Sequence, residues 1–299
     1  MRHIYAIALV LVCASFAPPR APEKLKVFLL VGQSNMQGKG KLEHLRALAT
    51  DAATKADYGH LVDEDGEWKP RDDVWIWYMG RTGALDAGFG TPEDRFGPEL
   101  QLGHVLGNAL DEKVLLIKIA WGGKSLAVDF RPPSAGGERG AFYVEMFAHA
   151  RDVLEHLDTR FPQLAGLEPE LAGFVWFQGW NDRVNQAFND EYAQNLAHLI
   201  RDVRAELELP ELPFVIGETG QGGPGETHPR ALSLMRAQAD VARATEFART
   251  VRLARTTHCY ASEPSHDGGY HFFGNAANFM GIGQSLGDAL LELLKPRKR

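Results

Sequence analysis

The chain has 299 residues, 44% of them hydrophobic and 24% charged, which suits a globular protein with a full core. Its net charge is −7 with acids and bases scattered, and this excludes the basic stripe of a nucleic-acid binder and disfavours standing attachment to anionic membranes.

The first residues, "MRHIYAIALVLVCASFAPPRAPEK", combine a basic start, an apolar stretch from Ile4 to Ala14 and a Pro-rich exit at Pro18, Pro19 and Pro22. A bilayer span needs ~20 apolar residues, so the segment predicts a secretory signal peptide over 1–21 and no stable membrane span. A single domain would then occupy 22–299, exported to a periplasm or the medium. Val12 is bulkier than the small residue expected before a lipid-anchored cysteine. Removal of the segment leaves Cys259 alone, in "RTTHCYAS", as a buried structural thiol with no possible internal disulfide.

Apolar runs follow in chain order: "LKVFLLV" (25–31), "VWIWYMG" (74–80), "VLLIKIA" (114–120), "LAGFVWF" (171–177) and "PFVIGET" (213–219), with "TTHCYAS" (256–262) as a weaker sixth. Most are apolar on consecutive residues, as parallel strands covered on both faces require. Between them lie helical patterns. Apolar residues at 143, 146, 147, 150, 153, 154 and 157 keep a 3.6-residue period, as do Tyr192, Leu196, Leu199, Ile200, Val203 and Leu207. "PRALSLMRAQADVARAT" and "NAANFMGIGQSLGDALLELL" read as two more helices. The alternation predicts an α/β fold, a parallel sheet of about five strands between helix layers. Residues 39–73 and 81–98 fit neither pattern and read as functional loops near a cleft.

Open α/β sheets place ligands at the carboxyl ends of their strands, and polar residues gather there. Ser34, in "VGQSNMQG", follows the first strand as either a capping turn serine or a nucleophile. Gly122 and Gly123 follow another strand, as turn glycines or as a close backbone approach to a ligand. Gln178, in "FVWFQGWND", has an amide to donate, while Asn181 and Asp182 suit bracing of that turn. "SHDGGYHFFGNAAN" supplies Asp267 and His271. "IGETGQGGPGETHP" lacks the Gly-Lys-Ser/Thr of a phosphate loop, which excludes nucleotide binding and leaves Glu218 free to face the cleft.

Together these blocks resemble the SGNH hydrolase superfamily, in its branch of carbohydrate acetylesterases that includes sialate O-acetylesterase and acetylxylan esterase-like proteins. "VGQSNMQG" is similar to the nucleophile block, "FGPELQLG" and "AWGGKSL" to the middle blocks, "FVWFQGWND" to the Gln-Gly block and "DGGYHFFGNAAN" to the final Asp/His block. The resemblance implies a three-layer α/β/α flavodoxin-like fold and a cofactor-free, metal-free esterase acting on acetylated carbohydrates. It implies Ser34 as nucleophile, His271 as base and Asp267 as its orienting group. The oxyanion donors would be the N–H groups of Ser34 and Gly123 and the Gln178 amide. Gln33, Trp121, Trp180 and Asp182 would contact substrate. Two departures stand out: Asp267 and His271 are four apart where the family has three, and Trp180 occupies the place of a common Glu.

Two other readings use the same residues. His258, His266, Asp267 and His271 are metal-ligand types and would make a metal-dependent hydrolase if they converged. Trp121, Trp176 and Trp180 would serve a non-catalytic carbohydrate-binding protein as stacking platforms.

Overall fold

Strands Lys24–Gly32 (β1), Val74–Tyr78 (β3), Arg81–Ala84 (β4), Lys113–Ala120 (β6), Glu168–Phe177 (β7), Phe214–Gly217 (β8) and Val251–Ala254 (β9) form one seven-stranded sheet in the order β4-β3-β6-β1-β7-β8-β9. A two-residue ribbon, Gly40–Lys41 (β2) against Arg95–Phe96 (β5), lies apart from it. The molecule is known from a computed structural model describing residues 23–295; the expected signal peptide lies outside the described residues.

All main-sheet pairings are parallel except that of β4 with β3. The five strongest apolar runs each form a strand. The sixth expectation is corrected: residues 257–259 make a single 3-10 turn, and the strand is β9, "VRLA", just upstream. Its arginine at 252 interrupts the apolar pattern that would have marked it.

The helices are Ser34–Gln37 (α1), Leu42–Thr50 (α2), Lys55–Tyr58 (α3), Glu99–Ala109 (α4), Ala141–Glu155 (α5), Leu157–Arg160 (α6), Trp180–Arg183 (α7), Gln186–Glu206 (α8), Pro229–Arg243 (α9) and Ala276–Leu294 (α10). Alternate residues of each central strand serve opposite faces. In β1, Leu25, Val27, Leu29 and Val31 join residues of α5, α8 and α9 in one core, whereas Phe28 and Leu30 join residues of α2, α4 and α10 in the other. Three layers result. Helix α4 has no counterpart in the periodicity reading, because Gly103 and Gly107 break its apolar stripe.

The chain builds β3 and β6 on one side of β1, then crosses to build β7, β8 and β9 on the other. Connections therefore diverge at the carboxyl end of β1, where such sheets open a crevice. The long segments are less irregular than expected: 39–73 contains α2 and α3, and 81–98 contains β4 and β5. Residues 69–73 run to the amino end of β3, where His60, Lys69, Arg71 and His104 line a cleft of about 470 Å³ remote from that crevice.

Candidate active site

At Gly32 the extended chain of β1 turns through Gln33 into the single turn of α1, whose first residue is Ser34. Ser34 is 9% exposed, and its hydroxyl is bonded to no group among the described residues yet is not sealed from solvent. Gln33 points the other way, into the protein. Its Oε1 accepts the N–H groups of Gly179 (3.2 Å) and Asn181 (3.4 Å), and its Nε2 donates to Asn181 Oδ1 at 3.2 Å. Asn181 Nδ2 donates onward to Gly123 O at 2.7 Å. One lattice of amides thus ties the turns after β1, β6 and β7, three adjacent strands.

Beneath it, Asp182 is fully buried and accepts the N–H groups of Leu126 (2.8 Å) and Ala127 (2.9 Å). Gln178 Nε2 donates to Asp182 Oδ2 at 2.5 Å and to Lys124 O at 3.0 Å. Burial pushes the Asp182 carboxyl up to about 6, against the pull of Gln178 and the two backbone donors. These contacts differ from the roles expected of Gln178, Gln33 and Trp121, and they give Asp182 the bracing role in place of the substrate contact. Both Gln178 amide hydrogens are engaged internally, so that side chain braces the turn instead of presenting a donor to solvent. Gln33 is buried with its oxygen and one amide hydrogen engaged, and Asp182 is buried with both oxygens engaged, so both brace their turns. Trp121 is half-buried against Phe130, Phe142 and His149 and acts as a core wall.

The other half of the site is the segment 261–275 before α10. His271 Nδ1 and Asp267 Oδ2 are 2.6 Å apart. The spacing of four is accommodated by a tight turn in which Gly268 takes φ +54° and the Tyr270 N–H donates to Asp267 O at 3.0 Å. His271, Phe272 and Phe273 follow with φ of 47°, 50° and 63°. Such left-handed backbone costs roughly 1–2 kcal/mol per non-glycine residue and persists only where surroundings enforce it. Here Asn275 Nδ2 donates to Glu263 O (3.0 Å), and Asn278 Nδ2 donates to Ala261 O (2.8 Å) and Phe272 O (2.9 Å).

This loop is docked on the chain that leaves α1. Arg95 donates from Nη1 to Lys39 O (3.0 Å) and from Nη2 to His266 O (3.4 Å), and the Phe272 ring lies 6.3 Å from Phe177, the β7 partner of Gly32. Asp267 also acts on Lys39, pulling its ammonium up while burial pulls it down more strongly. No hydrogen bond joins Ser34 Oγ to His271 Nε2, and neither atom is sealed from solvent.

The metal-ligand alternative does not assemble. Among the described residues no three His, Cys, Asp or Glu side chains converge; His258 Nε2 faces Cys259 and Ser285, and His266 packs its ring 5.1 Å from that of His44. Cys259 is half-buried, and burial raises its thiol. Glu218 is buried, its carboxylate accepting from the N–H groups of Thr256 (3.0 Å) and Thr257 (3.3 Å) and from Arg255 (3.2 Å).

On the outer face of α7, the Arg183 guanidinium lies 4.1 Å over the half-buried Trp180 ring, and its Nε is sealed without a partner. A cleft of about 550 Å³ lined by Val128, Asp129, Arg131, Arg139, Phe142 and Phe188 opens beside the loop after β6. The bracing roles of Gln33 and Arg95 and the buried pair of Lys118 and Glu99 were not read from sequence. A lysine inside "VLLIKIA" was a usable signal, since a strand covered on both faces must pair any charge it carries.

Comparison with known proteins agrees with this architecture. Solved structures that share the fold include a protein from Arabidopsis thaliana (17% identity, 91% of this chain and 99% of that one, TM-score 0.58). NanS is similar at 14% identity over 92% and 98%, TM-score 0.58. A carbohydrate acetylesterase from Xanthomonas citri matches at 15% identity and TM-score 0.56, over 89% of this chain and 56% of that longer one. Nothing among curated proteins matches the sequence. The family profile described as "Carbohydrate esterase, sialic acid-specific acetylesterase" matches residues 24–292. The chain therefore belongs to that family and is a carbohydrate esterase.

Proposed function

We propose that the protein is a serine esterase that removes O-acetyl groups from carbohydrates through an acetyl-Ser34 intermediate. The observation that carries the reading is the His271–Asp267 contact of 2.6 Å on a loop docked beside the turn of an unbonded, solvent-open Ser34 hydroxyl. In the first half-reaction His271 Nε2 takes the Ser34 proton as Oγ attacks the acetyl carbonyl. The tetrahedral intermediate collapses, and the sugar oxygen leaves with the proton from His271. Water, deprotonated by His271, then attacks the acetyl carbon, and acetate leaves as Ser34 Oγ regains a proton. Asp267 accepts the Nδ1 hydrogen and stabilises the imidazolium. Apo hydrogen bonds of this kind are often long and tighten on substrate binding.

The oxyanion donors in this reading are the N–H groups of Ser34 and Gly123, which meet no acceptor among the described residues. Gly123 holds φ +71°, a conformation open to glycine. The third donor is Asn181 in place of Gln178, since only one of its two Nδ2 hydrogens is engaged. Each such donor is worth ~10²–10³ in turnover. Trp180 and the Arg183 guanidinium stacked on it form the recognition face; an aromatic ring packs on the apolar face of a sugar, and the cation suits an acidic sugar such as the family's name specifies. Residues 22–299 form the single esterase domain, and 1–21 direct export.

The test is acetate release from a panel of acetylated acidic and neutral glycans. The parent releases acetate, Ser34→Ala does not, and Asp267→Asn loses roughly 10²-fold or more of kcat. Parental turnover by Ser34→Ala would overturn the assignment.

A further inference from the structure

Directly beneath the nucleophile turn lies an ion pair that the chemistry above does not use. Lys118 of β6 and Glu99 of α4 both have side chains with 0% exposure. Lys118 Nζ spends its three hydrogens on Gln37 O (2.8 Å), Phe89 O (2.7 Å) and Glu99 Oε2 (2.7 Å), and it lies 4.3 Å from the centre of the Tyr78 ring. Glu99 Oε1 accepts the Gly97 N–H at 2.8 Å. Gly97 in turn abuts Gly38, where a methyl group would run into the Gly97 backbone and where φ is +93°. The contacts close a ring: the end of α1, the ammonium, the carboxylate, Gly97, and back to the residue after α1.

Stability alone does not account for such a pair. Desolvating two charges is costly, and replacing a buried pair by apolar residues of similar volume is often neutral or stabilising. What the ammonium supplies is a fixed point for α1. A helix of one turn cannot hold itself, because nucleation fixes several residues for a single hydrogen bond, and the terminal carbonyls of α1 need donors from elsewhere. Gln37 also borders Gly122, so whatever fixes Gln37 touches both the nucleophile turn and the glycine turn after β6.

We propose that Lys118, neutralised by Glu99, is the positioning residue for Ser34: it anchors the last carbonyl of α1 and so fixes where the nucleophile at the other end of that turn stands. The inference rests on the esterase reading, with Ser34 as nucleophile. A misplacement of about 1 Å costs roughly 10²-fold in rate, so loss of the anchor acts on kcat.

The decisive variant is the double replacement Lys118→Met with Glu99→Leu, which removes both charges and leaves none uncompensated. It is expected to unfold cooperatively but at a lower temperature than the parent, since Gln37 O, Phe89 O and the Gly97 N–H lose their partners, with kcat on 4-nitrophenyl acetate about 10²-fold lower and KM nearly unchanged. A stable double variant with parental kcat would overturn the proposal and make the pair structural only. If the double variant does not fold, Lys118→Arg keeps the buried charge while its planar fork misses the three-acceptor geometry; a folded protein with lowered kcat supports the proposal, and parental kcat overturns it. Ser34→Ala runs alongside: parental turnover from it would show that the esterase reading itself has failed, independently of the pair.

Discussion

Asp182 shows how contacts choose between the two roles that the sequence offers one residue, bracing its turn or meeting substrate. An aspartate two places beyond Trp180 suits either, and it is buried among backbone donors and Gln178 in the bracing role. Its carboxyl is pushed up to about 6 by burial, above the ordinary 3.8. The folded protein therefore binds this proton between pH 4 and 6 where the unfolded chain does not, so the contribution is full below pH 4 and lost as pH rises through 6. The expected outcome is a loss on the order of 3 kcal/mol of unfolding free energy from this group across that window. Denaturant unfolding of the parent and Asp182→Asn at a series of pH values checks it. The parent should lose stability relative to the variant as pH rises, and a pH-independent difference would contradict the assignment. Gln33 and Gln178 were misplaced for the same reason: sequence names an amide but not which way it faces. The contact between Asp267 and His271 was legible because their block carries both residues next to a glycine pair that lets them meet.

Among the elements, the loop from Ala261 to Asn275 carries three consecutive left-handed residues beside the imidazole. That backbone is held by side chains of α10 and its cap, so the loop and the helix act as one unit. Asn278→Ala removes two hydrogen bonds from a buried amide, which is expected to cost about 2 kcal/mol of stability and to relax His271. Steady-state kinetics on 4-nitrophenyl acetate should then show a lower kcat with little change in KM. Unchanged kcat in a destabilised protein would mean that the strain has no part in turnover. Strands β1, β3, β6, β7 and β8 were legible from consecutive apolar residues. Strand β9 was not, because its arginine dilutes a four-residue run, and α4 was not, because its glycines serve close packing instead of helix propensity. Local pattern cannot reveal either.

For the whole molecule, a sheet built outward from β1 in both directions brings the ends of three neighbouring strands to one crevice, and an amide lattice locks them there. The layer architecture was readable because strand–helix alternation leaves few arrangements. The docking of the 261–275 loop was not, since it depends on Arg95, distant in sequence from both partners. The most direct measurement of the central claim is stoichiometric reaction with a serine-directed phosphonate, followed by peptide mapping and residual acetate release. One adduct on Ser34, with activity lost in proportion and no adduct in His271→Ala, is the expected result. Complete inactivation with Ser34 unmodified, or full activity with Ser34 modified, would contradict it.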